Sequence, residues 1–270
     1  MTRAVSVDPR DPSVPEILRR GRIDVTGRLV DASNATLYGT VTADGVTLRC
    51  VYKPVRGERP LWDFPDGTLA GREVATYLVS EAAGFHLVPP TVLRDGPFGP
   101  GMVQVWIDTD EDRELVDVCD PDQIPPGWLP VLRARGMRGE PVVLVHADVP
   151  ELRALAALDL ITNNADRKGG HVLAGVDGRI WGVDHGLCFH TEDKLRTVLW
   201  GWVGRPLSEE DLERVRRLRS ALDDGLCEQL GEHLTRRETA ALSSRVDALL
   251  ADPCYPAPSG FGPSIPWPAF

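Results

Sequence analysis

The sequence predicts an α+β protein of two lobes, the first rich in β-strands and the second mainly helical. Three observations carry that expectation: a hairpin signature at Asp44-Gly45 between two β-rich runs, an acidic and then Pro- and Gly-rich stretch over 108–141, and helix-start patterns at Ser208 and Thr235 beyond it. With 270 residues, 42% of them hydrophobic and 26% charged, the chain is long enough for a real core and a cleft. The expected division is an extended arm over 1–16, a first lobe over 17–108, a second over 109–252 and a proline-rich tail over 253–270.

Pro9, Pro12 and Pro15 deny the first stretch both helix and ladder hydrogen bonds, hence the arm. Gly45 supplies the positive φ of a tight turn and places strands near 36–42 and 46–54, with Lys53 on the same face as Val51. Over 72–83, Val74, Tyr77, Leu78 and Ala82 fall at helical spacing, with Glu73 in the first turn and Gly84 where a left-handed cap belongs. After Pro89-Pro90 come a short strand at 91–93, a turn at 95–101 and a strand at 102–107. Residues 108–141 read as a connector with at most one short helix. Asp148-Val-Pro-Glu151 resembles a capping box opening a helix that stops near Thr162-Asn163-Asn164. A loop over 164–171 leads into a second hairpin, 172–174 with 180–183, around Asp177-Gly178. Ser208-Glu-Glu-Asp211 and Thr235-Arg-Arg-Glu238 open helices running to about 221 and 251. The tail holds six prolines and two glycines, which suits a surface strap or a disordered end.

Thirty Lys and Arg against forty Asp and Glu give a net charge of −10, a field that opposes nonspecific contact with nucleic acid or anionic lipid. The basic run Arg214–Arg219 has Glu209, Glu210, Asp211 and Glu213 beside it and reads as a solvated helix face. No apolar run approaches the ~20 residues that span a bilayer, and the opening residues lack the apolar middle of a signal peptide. A cytoplasmic protein without nucleic-acid partner or stable membrane insertion is expected. The five scattered cysteines read as reduced thiols, and Trp181, Trp200 and Trp202 as packing residues.

The informative stretch is Leu158-Asp-Leu-Ile-Thr-Asn-Asn-Ala-Asp166-Arg-Lys-Gly-Gly-His171, followed by Ile180-Trp-Gly-Val-Asp184-His-Gly186. A loop Asp after a helix can take a hydroxyl proton, while a donor five residues later and an Asp at a hairpin end can converge on magnesium. Asp166, His171 and Asp184 suit those three roles. Gly169-Gly170 lets the loop turn sharply, and Gly186 lets the backbone leave the second Asp. Phosphoryl transfer also needs a cation over the nucleotide phosphates, commonly a strand-end lysine oriented by a helix carboxylate, which selects Lys53 and Glu73. The small residues of Asp31–Thr36, Ser33 and Asn34 among them, can cradle phosphate, without a repeated-glycine fingerprint.

The order Val51-Tyr-Lys53-Pro54, Glu73, Asn164-Ala-Asp166-Arg167 and Val183-Asp184-His-Gly186-Leu resembles the phosphatidylinositol 3/4-kinase-like branch of the protein-kinase-like superfamily. It is similar above all to an actinobacterial group labelled phosphatidylinositol-kinase-like, with type II phosphatidylinositol 4-kinases more distant. The resemblance covers about residues 28–200 and implies a bilobal protein-kinase-like fold. It further implies that Lys53 and Glu73 handle nucleotide phosphates, Asp166 is catalytic, Asp184 binds metal, and Gln104, Val105 and Trp106 form the adenine-binding strand. Lys194 and Arg196 fall where such kinases face the acceptor. The family's second metal ligand is usually Asn, and here it is His171, whose imidazole suits manganese or zinc better.

The function expected is ATP-dependent phosphotransfer, with Mg2+ or Mn2+, to a hydroxyl acceptor left open between a lipid head group, a protein serine or threonine and a small molecule. A nucleotide-binding pseudokinase, motivated by His171, and a nucleotidyl (AMP) transferase are the alternatives.

Overall fold

A computed structural model of the chain describes residues 7–29, 34–260 and 262–270. It opens with helix α1 (Val14–Arg20), which begins inside the segment expected to be an arm. Pro15 lies in the first turn, where its missing N–H costs nothing, and Val14, Ile17 and Leu18 bury against the sheet that follows. That burial outweighs the proline density.

The sheet contains β1 (Arg22–Arg28), β2 (Leu37–Ala43), β3 (Val46–Pro54), β4 (Thr91–Gly96) and β5 (Gly99–Val105), in the order β1-β2-β3-β5-β4. Every pairing is antiparallel. Asp44 and Gly45 turn the β2–β3 hairpin with φ of 48° and 77°, the left-handed pair that a two-residue turn requires. Leu48, Cys50 and Tyr52 alternate into the core beneath the sheet, which leaves Lys53 on the opposite face.

Helix α2 (Leu69–Ala83) starts at Thr68, whose hydroxyl accepts from Gly71 N–H, and ends at Gly84 in the left-handed region with φ of 78°. One stretch of it, Ala70 and Val74, packs on Met102 of the sheet. The later residues Ala75, Val79 and Ala83 join the larger helical core. Glu73 therefore sits where the two cores approach.

The stretch over 108–141 is not a plain connector. It carries β6 (Val116–Cys119), β7 (Trp128–Arg135) and the start of β8 (Pro141–Ala147), which form a three-stranded antiparallel sheet ordered β6-β8-β7. Its strands were hidden because β7 is an exposed edge: Leu132 is solvent-facing, Arg133 and Arg135 break the alternation, and Pro130 sits beside a register shift. Only β8 buries a continuous run, Val143, Leu144 and Val145.

Helix α3 (Pro150–Thr162) is preceded by Val149, and the capping box expected at Asp148–Glu151 does not form. The Asp148 carboxylate instead accepts from the Trp202 indole at 2.8 Å and from Arg205 at 3.1 Å. Asn163 ends the helix in the left-handed region. The hairpin β9 (Val172–Ala174) and β10 (Ile180–Gly182) follows, then α4 (Glu209–Ala221), α5 (Cys227–Leu230) and α6 (Arg236–Ala251). Ser208 caps α4, and Thr235 with Glu238 completes a capping box on α6, both as the sequence predicts. The arginines of α4 pair with Glu209, Glu210, Asp211, Glu213, Asp223 and Asp247, a solvated ion-pair face. From Pro253 the tail runs as a strap, anchored by the buried Tyr255, whose hydroxyl donates to Arg153 O at 3.0 Å. All five cysteines are free, and no helix among the described residues is long and apolar enough to cross a membrane.

Candidate functional site

Lys53 stands at the end of β3, paired with Met102 of β5. Its Nζ lies 2.7 Å from Glu73 Oε1 and 2.9 Å from Asp184 Oδ1. The second Glu73 oxygen accepts the backbone N–H of His185 at 2.9 Å, so one buried carboxylate holds both the lysine and the loop after β10. Burial pulls the Lys53 ammonium down, but Asp184 and Glu73 outweigh it and leave the lysine raised above its ordinary value. Burial pushes Glu73 up against the opposing pull of Lys53, while the Lys53 ammonium, outweighing burial, holds Asp184 well below the carboxylate range. Asp184 has φ of 60°, a left-handed value that Asp tolerates better than most residues, whereas Gly186 has no positive φ and is merely packed close to Leu69. The backbone turn is made at the aspartate itself, not at the glycine expected to make it.

The loop after α3 is framed from inside. Asn164 donates to Asp159 Oδ1 at 3.0 Å and accepts the Asp166 N–H at 2.9 Å. Arg167, fully buried, grips Asp159 with Nε and Nη2 and donates to the carbonyls of His171 (3.2 Å) and Val183 (3.0 Å). It also donates to His185 Nε2 at 2.6 Å. One guanidinium thus ties α3, the loop and the exit of β10, and leaves the Asp166 side chain, 26% exposed, out of that network. Burial raises the Asp166 carboxyl above its ordinary value, with Asp184 adding and Lys168 and Arg196 opposing. Lys168 Nζ sits 3.4 Å from Asp166 Oδ2.

His171 supplies the most telling contact. Its Nδ1 lies 2.9 Å from the carbonyl oxygen of Asp166, which can only accept, so Nδ1 carries the proton. Burial holds the imidazole down at about 4, so near neutral pH the ring is uncharged and Nε2 presents a lone pair. That lone pair faces Asp184 Oδ2 at 3.3 Å. Two acceptors at that distance repel, and a divalent cation between them would satisfy both. Among the described residues no group of three or more His, Cys, Asp or Glu side chains surrounds one point. A two-donor site fits an ion that takes its other ligands from phosphate and water, the habit of Mg2+ at nucleotide sites, and the imidazole tilts the preference toward manganese.

The structure therefore brings Lys53, Glu73, Asp166, His171 and Asp184 to one place, between the five-stranded sheet and the helical core. Arg196 joins them as a charge acting on Asp166. Other expected residues are placed differently. The Gln104 amide is buried and donates to Thr91 Oγ1 at 2.8 Å, the Val105 N–H donates to Pro90 O at 3.0 Å, and the Trp106 N–H donates to Arg49 O at 2.9 Å. These donors are spent inside the sheet rather than turned to an adenine. Asn34 Oδ1 accepts the Arg59 N–H at 2.9 Å, and Ser33 lies outside the described residues. Lys194 pairs with Asp63 at 3.1 Å and lies over the rings of Trp62 and Phe64, which closes the 58–68 loop onto the segment after β10. A cavity of about 1000 Å³ between α3, α6 and the tail is lined by none of the five converging side chains.

Sequence reasoning missed Asp159 and His185. Asp159 lies on the buried stripe of α3, one turn after Leu155, and a carboxylate in an apolar period is the signature of a buried partner such as Arg167. Nothing local marks His185, whose contribution to Glu73 is a backbone N–H.

No family model matches the chain. Among solved structures it is similar to a proinflammatory kinase of Helicobacter pylori, CtkA, with a TM-score of 0.44 and 9% identity over 88% of this chain and 94% of that one, a likeness too distant to carry an argument. Among curated proteins it is 51% identical over 263 residues to Protein Rv2133c of Mycobacterium tuberculosis, covering 94% of both chains. At that identity and coverage, the chain belongs to the same family as the mycobacterial Protein Rv2133c.

Proposed function

We propose that the chain is an ATP-dependent phosphotransferase of the phosphatidylinositol 3/4-kinase-like kind, acting on a hydroxyl acceptor. One observation carries the reading: an ammonium, two carboxylates and an imidazole lone pair, from residues as far apart as Lys53 and Asp184, converge beside the partly exposed Asp166. Lys53, held by Glu73, meets phosphate oxygens as a fixed cation. Asp184 and His171 would hold Mg2+ or Mn2+, which when bound neutralises charge on the phosphates. Asp166, with a carboxyl raised by burial, accepts the acceptor's hydroxyl proton, and the Lys168 ammonium 3.4 Å away would offset negative charge there.

The test is label transfer from ATP with Mg2+ or Mn2+. Asp166→Asn is expected to lower turnover at least ~100-fold while leaving nucleotide affinity within a few-fold, because general-base catalysis contributes to the chemical step rather than to ground-state binding. Turnover within a few-fold of the parent would remove Asp166 from the chemistry. One observation favours a second reading, transfer of AMP: the donors at the end of β5 are already used, so the adenine need not lie where it does in kinases. Comparing label at the α and γ positions separates the two.

A further inference from the structure

The strap from Pro253 ends on the proposed site. The Thr197 N–H and the Trp200 indole N–H, the latter at 2.8 Å, both donate to the carbonyl of Ser264. Thr197 also bridges Arg167 of the loop. Five residues further on, the carbonyl of Ala269 accepts the N–H of Gly169 at 2.8 Å. The Phe270 ring covers Gly169 so closely that a Cβ at that position would lie 2.5 Å from the ring. Between these anchors Ile265 packs on the helical core and Pro266 is buried, while Trp267 stands 92% exposed. Seven residues, bent rather than extended, thus cross from the segment carrying Arg196 to the loop carrying Asp166, held by hydrogen bonds to main-chain carbonyls, by Ile265 and Ala269 against the core and by the Phe270 ring.

Hydrogen bonding to the main chain of a bound segment lets a protein accept peptides of varied sequence. A binding track for a lipid head group or a small sugar would instead show convergent polar side chains and a concave pocket. Here the contacts at both ends are made to carbonyl oxygens that any polypeptide possesses. The close approach at Gly169 also gives that glycine a purpose that turning the loop does not.

We propose that residues 264–270 lie over the acceptor site as a built-in occupant, and that the acceptor which displaces them is a polypeptide segment bearing a hydroxyl side chain. The inference rests on the phosphotransfer reading and names its acceptor class. The chain shortened to end at Pro263 keeps the Tyr255 anchor and loses the occupant. A fluorescein-labelled synthetic peptide with the sequence of residues 262–270 is expected to bind the shortened chain saturably, and to bind the intact chain at least ten-fold more weakly. With γ-labelled ATP the shortened chain is expected to label dephosphorylated casein at least ten-fold faster than the intact one. Ile265→Asp in the intact chain, which places a charge against the core and expels the strap without removing it, guards against a folding defect and is expected to reproduce both gains. Equal peptide binding to intact and opened chains, or no rise in casein labelling with either variant, overturns the inference. A fluorescent ATP analogue separates the causes: nucleotide binding without either gain leaves the phosphotransfer reading standing and removes this one, whereas no nucleotide binding by any of the three chains removes both.

Discussion

Asp159 and Arg167 meet with both side chains fully buried, whereas Lys53 and Asp184 meet with 21% and 49% of their side-chain surface exposed. The two ion pairs are linked through the Val183 carbonyl, which accepts from Arg167 and precedes Asp184, and they use the same kinds of group. Around the buried pair the partners are the protein's own: two carboxylate oxygens, two carbonyls and one imidazole nitrogen. Around the open pair the partners run short, and His171 turns a lone pair toward Asp184. A charge whose partners are complete holds a loop in place, while a charge cluster left incomplete and within reach of solvent keeps capacity for a further partner.

The largest effect should come from breaking the closed pair. Arg167→Met leaves Asp159 buried and unpaired and is expected to cost about 3–5 kcal/mol in urea unfolding, while the double change with Asp159→Leu recovers most of it. Asp184→Asn should stay within about 1 kcal/mol of the parent, because its side chain is half exposed and an amide can donate to His171 Nε2. If the two single changes cost the same, the division between closed and open clusters is wrong.

Histidines sharpen the contrast. His146 uses both ring nitrogens within the protein, Nδ1–H to the Ala147 carbonyl and Nε2 from the Gly201 N–H at 3.0 Å, and burial holds it down at about 4. Its folded value lies below its unfolded one, so the unfolded chain binds more protons between those values. Stability is complete above about pH 6.5 and falls as the pH drops toward 4, by about 3 kcal/mol for this one side chain. His146→Gln should flatten that part of the stability profile measured by denaturation between pH 4 and 7.

Smaller still is the expected effect at the open imidazole. His171→Asn exchanges a nitrogen donor for an amide oxygen, and the ratio of manganese-supported to magnesium-supported turnover should fall about ten-fold, with unfolding little changed. An unchanged ratio would remove His171 from the metal. Smallest of all is Glu209→Ala on the α4 surface, where Arg216 keeps Glu213 as a partner; the change should stay within about 0.5 kcal/mol.

Much of the local structure was legible in the residues. The Asp44-Gly45 turn, the caps at Ser208 and Thr235, and the end of α2 at Gly84 all form where composition and spacing place them. The charged members of the candidate site were legible as residue types on the expected elements, but Glu73 lies in the second turn rather than the first, because the helix capped by Thr68 begins at Leu69, three residues before the expected start. The three-stranded sheet was not, since an exposed edge strand with Arg133 and Arg135 has little alternation to show. The capping box at Asp148 failed because that carboxylate had a better offer from the Trp202 indole, 54 residues away.

What the sequence alone determined is therefore the set of turns, caps and chemical groups, since each depends on bond geometry and hydrogen bonds within a few residues. Only the tertiary structure decided that Lys53 reaches Asp184 across 131 residues, that Asp159 closes on Arg167, and that the strap comes to rest on Gly169. Those meetings are settled by how the sheet, the helices and the tail bury apolar surface together, and no short stretch of chain contains that information.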